Sequence, residues 1–346
     1  MGVPEIVSIA TGVPDARYSQ QELFDQLQAL GLTTDPRAEA VFQNAGVAAR
    51  HAAVAGAYYA EERTTETRNN CYLSEALPLG ENVLCDALNR AGLRPQDVDD
   101  FVVVSCTGID TPGLDLRLAG RLGMRPDLRR TSVLGMGCYA AFPGLWRGRE
   151  AVQGSGGVAL VLMLELCSLH LQMDDSLENM VAAALFADGA AAAVIGANGS
   201  THGPRLIDQA TYCDYTTFDH MAFHLTDHGF QMRLSAYVPD LLAASVEDFA
   251  ATLLDRHGLR AADVPFWAIH PGSGKILDHV QARLALTDAQ MAHSRAVLRD
   301  YGNMSSATIL FVLDALQRAE QPQSGDYGVL MAFGPGLTME SLLVQW

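Results

Sequence analysis

The sequence predicts an α/β protein built as an internal duplication, on three observations. Apolar runs of strand length alternate with amphipathic helical stretches. A Gly-Leu-Arg-x-x-Asp-Val heptad occurs twice, at 92–98 and 258–264. Each copy then leads into the same order of strand, glycine turn, apolar helix and closing strand. The 346 residues suffice for two core-sized halves, here 1–198 and 199–346, divided in the turn-rich segment 196–203.

Ser19-Gln20-Gln21-Glu22 has capping-box spacing, and Leu23, Phe24, Leu27 and Leu30 follow at helical period. Residues 44–67, alanine-rich and then charged, carry no clear period. The stretch 82–91 reads as a helix through Val83, Leu84, Ala87 and Leu88, stopped by Gly92. Phe101-Val102-Val103-Val104-Ser105 is continuously apolar, as in a strand buried on both faces. A helix fits 115–122, another runs from Cys138 to about 152, and strand 158–166 follows. Pro143-Gly144 falls early in that second helix, where proline is tolerated only in the first turn. A helix near 177–185 and strand 191–195 close the first half. The second half offers strand 266–269, a helix carrying Ala307, Leu310, Phe311, Leu313 and Leu316, and strand 328–333.

His220, His224 and His228 are spaced four apart, which on a helix would align three imidazoles for a metal. Gly229, Phe218, Phe223 and the alternating stretch 230–234 predict a hairpin instead. In a strand, residues four apart stand too far from each other to share one ion, so no metal is expected.

A formal charge of −17 argues against nucleic-acid or anionic-membrane partners. No apolar run is long enough to span a bilayer, and Met1-Gly2-Val3-Pro4-Glu5 does not open a signal peptide. The six cysteines (71, 85, 106, 138, 167 and 213) are scattered without a CxxC pair, which suits a reducing compartment. The cytoplasm is the expected location. Lys275 is the only lysine.

The chemistry centres on Gly135-Met136-Gly137-Cys138-Tyr139-Ala140. Two glycines before the cysteine predict a sharp turn into a helix, whose unpaired N–H groups would lower the thiol pKa. A buried cysteine packed as a small hydrophobe is the plain alternative. The duplication supplies partners for chemistry, with His270 and Asn303 as ordinary turn caps the plain alternative. Ser105 precedes Cys138 by the same interval that separates His270 from Asn303, and Gly137-Cys138 matches Gly302-Asn303. Cys138, His270 and Asn303 therefore stand at equivalent ends of paired elements and can converge. A cysteine beside a histidine forms a thiolate that attacks a thioester. The histidine N–H and the asparagine amide can both donate to an enolate or tetrahedral oxyanion.

Four motifs then resemble one family across nearly the whole chain. They are Gly-Met-Gly-Cys138-Tyr-Ala, Ile-His270-Pro-Gly-Ser-Gly-Lys-Ile-Leu, Tyr-Gly-Asn303-Met-Ser-Ser-Ala-Thr and Phe333-Gly334-Pro335-Gly336-Leu337-Thr338. Together they resemble the type III polyketide synthases, the chalcone and stilbene synthase-like enzymes, in their bacterial form. The resemblance implies a thiolase-like αβαβα layered sandwich and a homodimer. It implies that Cys138 accepts an acyl starter from CoA, and that His270 and Asn303 assist decarboxylation of malonyl-CoA. The resulting enolate extends the bound chain, which cyclises to an aromatic or pyrone product. No metal or redox cofactor is implied.

By the same resemblance Phe186, in Ala-Leu-Phe-Ala-Asp-Gly, is a gatekeeper and Met232 replaces a second aromatic one. Phe223 takes the place of a small glycine and narrows the cavity. Cys106, Thr107, Cys167, His170 and Ser305 line the rest, and a cysteine at 106 resembles the tetrahydroxynaphthalene synthases. The segment 37–50 matches the part of the family that usually supplies cations to the CoA phosphates, yet it is nearly stripped of them. Lys275, Arg50 and Arg37 are the remaining CoA-binding candidates, and an acyl carrier protein is the alternative donor. The nearest rival is a carrier-protein-dependent 3-ketoacyl synthase of the initiating type. It shares the trio but usually has His-Gln-Ala-Asn where this chain has His270-Pro271-Gly272-Ser273. A catalytically silent thiolase-fold partner would be expected to lack one of the three.

Overall fold

The computed structural model describes residues 2–172, 176–197, 203–235 and 237–346. The expected division at 198/199 lies outside the described residues. Nine strands form one mixed sheet, in the order Phe266–Ile269, Tyr327–Gly334, Thr338–Gln345, Arg205–Cys213, Glu5–Gly12, Asp188–Gly196, Ala159–Leu166, Asp100–Val104 and Arg129–Val133. The sheet narrows at its middle, where Glu5–Gly12 meets Arg205–Cys213 only through Glu5 opposite Arg205.

On either side of that seam the ladders repeat. Asp188–Gly196 runs antiparallel to Ala159–Leu166, which is parallel to Asp100–Val104. Thr338–Gln345 runs antiparallel to Tyr327–Gly334, which is parallel to Phe266–Ile269. The repeated heptads fold alike as well. Arg94 N donates to Asp97 Oδ2 at 2.8 Å and Arg260 N to Asp263 Oδ2 at 2.9 Å, each around a single 3-10 turn. The duplication read from the sequence is thus present in both topology and local structure.

Alternating side chains build the layers. On Ala159–Leu166, Val161 and Met163 join a central core, while Leu160, Leu162 and Leu164 join an outer one. Across the seam, Leu330 and Ala332 face the centre, while Val329, Met331 and Phe333 face outward. The centre is filled by the helices Ala141–Ser155 and Thr308–Glu320 through Phe142, Leu145, Leu310 and Leu313. Thr65–Ala91 and Leu114–Arg121 cover one outer face, and Val238–Asp255, Gly274–Arg283 and Asp288–Tyr301 the other. This is the layered αβαβα arrangement. Both central helices start at the same edge of their halves, which places Cys138 and Asn303 beside each other.

The Ser19 capping box forms, with Glu22 N to Ser19 Oγ at 3.1 Å and Ser19 N to Glu22 Oε2 at 2.8 Å. The helix expected at 82–91 begins much earlier, at Thr65. Its buried stripe continues backward through Gly80, Ala76, Tyr72 and Arg68, small or polar types that an apolar-period reading passes over. Pro143 is the third residue of its helix, where N–H groups lack intrahelical acceptors and no bond is lost. Met221–Thr226 and Gly229–Leu234 form the expected hairpin, and no metal-holding group of side chains occurs among the described residues. No described helix is long and apolar enough to cross a membrane.

Candidate active site

Cys138 lies in the 3-10 turn Gly137–Tyr139, just ahead of the helix that starts at Ala141. Gly137 has φ +72°, and a Cβ there would stand 2.7 Å from Pro335 Cδ. Glycine is therefore required twice over, by the turn and by the Gly-Pro-Gly segment packed on it. Gly137 N donates to Cys106 Sγ at 3.0 Å, tying the strand end at 106 to the Cys138 turn.

Cys138 is buried, and burial pushes its thiol up to about 11. The Ser305 and Asn303 side chains beside the sulfur pull the other way. The lowered pKa expected from the helix start is therefore corrected: loss of solvent outweighs the local donors. Burial likewise drives His270 down to about 3. Its backbone N–H is fixed to Met331 O at 2.8 Å, while Nδ1 and Nε2 have no hydrogen-bond partner among the described residues. A fully buried imidazole with both nitrogens free is rare unless a ligand completes it.

Asn303 is held from both sides. Its backbone bridges Phe186, and its Oδ1 accepts from Ser305 N at 2.9 Å. That bond settles which end of the amide is which, so Nδ2 is the donor facing the site, with Gly272 O at 3.3 Å. Gly272 N in turn donates to His270 O at 3.0 Å, which joins the His270 loop to Asn303. Ser305 adopts φ +48°, uncommon for a non-glycine residue. The backbone is strained at the residue that contacts both Asn303 and Cys138.

A pocket open on one side to solvent adjoins this group through Ser305 and Phe186. All eight cavity residues read from the sequence line it: Cys106, Thr107, Cys167, His170, Phe186, Phe223, Met232 and Ser305. Leu171, Gln172, Asn179, Ala182 and Phe230 complete the wall. The rings of Phe186 and Phe223 meet edge to face at 6.2 Å. His170 is neutral and locked: Nε2 meets Thr107 O at 2.6 Å, Nδ1 accepts from Phe230 N at 3.2 Å, and burial lowers it to about 4. It braces the wall and is not poised as a base.

The sequence reading missed Glu165, which is fully buried behind the cysteines. It accepts from Cys106 N at 2.9 Å, Thr107 Oγ1 at 2.8 Å and Ser306 Oγ at 2.5 Å. Burial raises it to about 7 against those hydrogen bonds. A single acid within the apolar run 159–166 was the available signal.

Known proteins share this fold. The N-terminal domain of chalcone and stilbene synthases matches residues 47–199, and the C-terminal domain matches 213–346. The chain belongs to the chalcone and stilbene synthase family. It is 36% identical to the 1,3,6,8-tetrahydroxynaphthalene synthase of Streptomyces peucetius subsp. caesius, over 99% of this chain and 93% of that protein. It is 32% identical to the 3,5-dihydroxyphenylacetyl-CoA synthase of Amycolatopsis orientalis, over 99% and 94%. Among solved structures, 1,3,6,8-tetrahydroxynaphthalene synthase from Streptomyces coelicolor A3(2), a bacterial type III polyketide synthase, superposes with TM-score 0.92 at 29% identity and 99% coverage of both chains. The chain is accordingly a type III polyketide synthase of thiolase-like fold, an acyltransferase.

Within this polyketide synthase the three CoA candidates separate. Lys275 is exposed in the first turn of Gly274–Arg283, the helix that follows the short loop after His270. Arg37 is exposed but bound in a fork to Asp35, with Nη2 to Oδ2 at 2.6 Å. Arg50 is corrected: it is 2% exposed, and its guanidinium donates to backbone carbonyls and Gln20. It is closed to a CoA phosphate.

Proposed function

We propose that Cys138 is the acyl-carrying nucleophile and that His270 and Asn303 activate the malonyl extender. One observation carries the reading: a buried thiol and an oriented amide donor meet at Ser305, which also lines a largely apolar pocket. Because burial opposes a charge on either Cys138 or His270, the resting pair is thiol and neutral imidazole. The thiol passes its proton to His270 as sulfur attacks the starter thioester. CoA leaves with that proton, and the acyl group stays on sulfur. Malonyl-CoA then loses carbon dioxide, and its enolate oxygen takes hydrogen bonds from His270 and from Asn303 Nδ2. The enolate carbon attacks the Cys138 thioester and expels the thiolate, which takes a proton from water by way of His270 to restore the thiol, and the extended chain is left on CoA. The sequence is redox-neutral and calls for no cofactor.

Acyl-CoA and malonyl-CoA are the proposed substrates, and Lys275 is the proposed phosphate contact. Phe186, Phe223 and Met232 would gate a cavity suited to a short polyketide that closes to an aromatic or pyrone. A homodimer is proposed as well. The edge strand Arg129–Val133 is largely exposed, and Leu134, Ile109 and Leu116 beside it are 47%, 57% and 44% exposed, an edge suited to a second copy. The six free cysteines favour the cytoplasm. The test is mass spectrometry of products from a panel of acyl groups, offered on CoA and on acyl carrier protein, each with malonyl-CoA. A low-mass aromatic or pyrone from the CoA arm is expected. Product from the carrier arm alone would overturn the CoA assignment.

A further inference from the structure

The end of helix Leu177–Leu185 lies at the centre of the site, and its hydrogen bonds account for a buried cation. A helix leaves its last four carbonyls without intrahelical partners, and here Ala182, Ala183, Ala184 and Leu185 are all buried. Phe186 N takes Ala182 O at 3.0 Å. Arg50 Nη1 donates to Ala183 O at 2.6 Å and to Phe186 O at 2.8 Å, and Nη2 donates to Ala184 O at 2.5 Å. Asn303 N donates to Leu185 O at 2.9 Å, and Ala187 N returns to Asn303 O at 2.9 Å.

Arg50 and Asn303 therefore close the same helix end, Arg50 through Phe186 O and Asn303 through Leu185 O and Ala187 N on either side of Phe186. Gln20 completes the grip. Its Oε1 accepts from Arg50 Nη2, and its Nε2 donates to Phe42 O at 2.9 Å and Ala184 O at 3.0 Å. Among the described residues no carboxylate forms an ion pair with Arg50. Its charge is met by the negative end of the helix dipole and by these carbonyls.

We propose that Arg50, braced by Gln20, is a positioning residue for the condensation: it fixes the Phe186 backbone and thereby the Asn303 amide against Cys138. The inference rests on the reading of Asn303 as a donor to the enolate. A misplacement of about 1 Å at a reacting group can cost on the order of 100-fold in rate, and a rigid planar fork across three carbonyls limits such movement. Lysine cannot reproduce that fork.

Two half-reactions test it. Starter loading on Cys138 is followed by intact-protein mass, and carbon dioxide release from malonyl-CoA is followed separately. Arg50→Lys should load starter within about twofold of wild type, while kcat for carbon dioxide release falls about 10- to 100-fold at unchanged KM. Gln20→Ala, the milder variant, should lose about 3- to 10-fold in the same step, and it decides the matter if Arg50→Lys does not fold. Combining Arg50→Lys with Asn303→Ala should cost nothing beyond Asn303→Ala alone, since both act through one amide. Carbon dioxide release within twofold of wild type in the folded variants would overturn the proposal. So would losses that multiply, or equal losses in both half-reactions with a lowered Tm. Unimpaired release by Asn303→Ala itself would instead refute the donor reading.

Discussion

Ser105 and His270 stand at matching strand ends, and Cys138 and Asn303 at matching glycine turns, yet the two halves use these positions differently. Gly137 and Gly302 share nearly the same φ, +72° and +74°, and each precedes a functional residue and a central apolar helix. In the first half the strand end is satisfied, because Tyr72 OH donates to Ser105 Oγ at 2.7 Å. In the second it is unsatisfied, because both His270 ring nitrogens lack partners among the described residues. On the proposed roles, one backbone plan supplies a covalent attachment point on one side and proton-handling and donor groups on the other. The lesson is that the scaffold fixes where two groups meet, while side-chain identity and burial decide what each does.

The comparison breaks most sharply at His270, proposed to serve both steps. His270→Ala should lower product formation by roughly 10⁴-fold, at the upper end for a general base. The pH dependence gives the sign. Below about 3 His270 is charged and above about 11 Cys138 is ionised; between these values proton transfer within the pair takes up or releases none to solvent. Alkylation of Cys138 by iodoacetamide should therefore be nearly flat across this window in wild type. In His270→Ala it should rise about tenfold per pH unit as free thiolate accumulates. A tenfold-per-unit rise in wild type would remove His270 as the proton acceptor.

The glycine pair comes next. Alanine at either position costs roughly 1–3 kcal/mol for the positive-φ backbone alone, and at 137 the contact with Pro335 adds to it, so Tm should fall by at least about 2 °C in each. The two should differ in activity: Gly137→Ala slows starter loading, whereas Gly302→Ala, with a Cβ 3.0 Å from Leu185 O, slows carbon dioxide release. Equal effects of both substitutions on both steps would erase the distinction between the halves. The smallest effect belongs to Lys275. Lys275→Ala should raise KM for malonyl-CoA about two- to fivefold with kcat unchanged, as for one exposed charge, and an unchanged KM would exclude it from the CoA contact.

Much of this was legible in the sequence because it depends on local patterning. The repeated heptad, the two glycine turns and the apolar central helices are short-range features, and they specify the frame that brings Cys138, His270 and Asn303 together. What escaped depends on burial. Arg50 read as a surface cation, because nothing in its neighbourhood announces that a helix end 133 positions away will need its donors. The expected low thiol pKa at Cys138 failed for the same reason: the turn was visible, the desolvation was not. The first half of helix Thr65–Ala91 was missed because Arg68, Ala76 and Gly80 carry its buried stripe without apolar bulk.

The most direct test of two halves with separate tasks is a paired assay of Cys138→Ala and Asn303→Ala. Each variant is scored for acyl adduct by intact-protein mass and for carbon dioxide released from malonyl-CoA. The account predicts that Cys138→Ala forms no adduct yet still releases carbon dioxide, and that Asn303→Ala forms the adduct but loses about 10²–10³-fold in release. An acyl adduct surviving in Cys138→Ala, or full carbon dioxide release in Asn303→Ala, would contradict it.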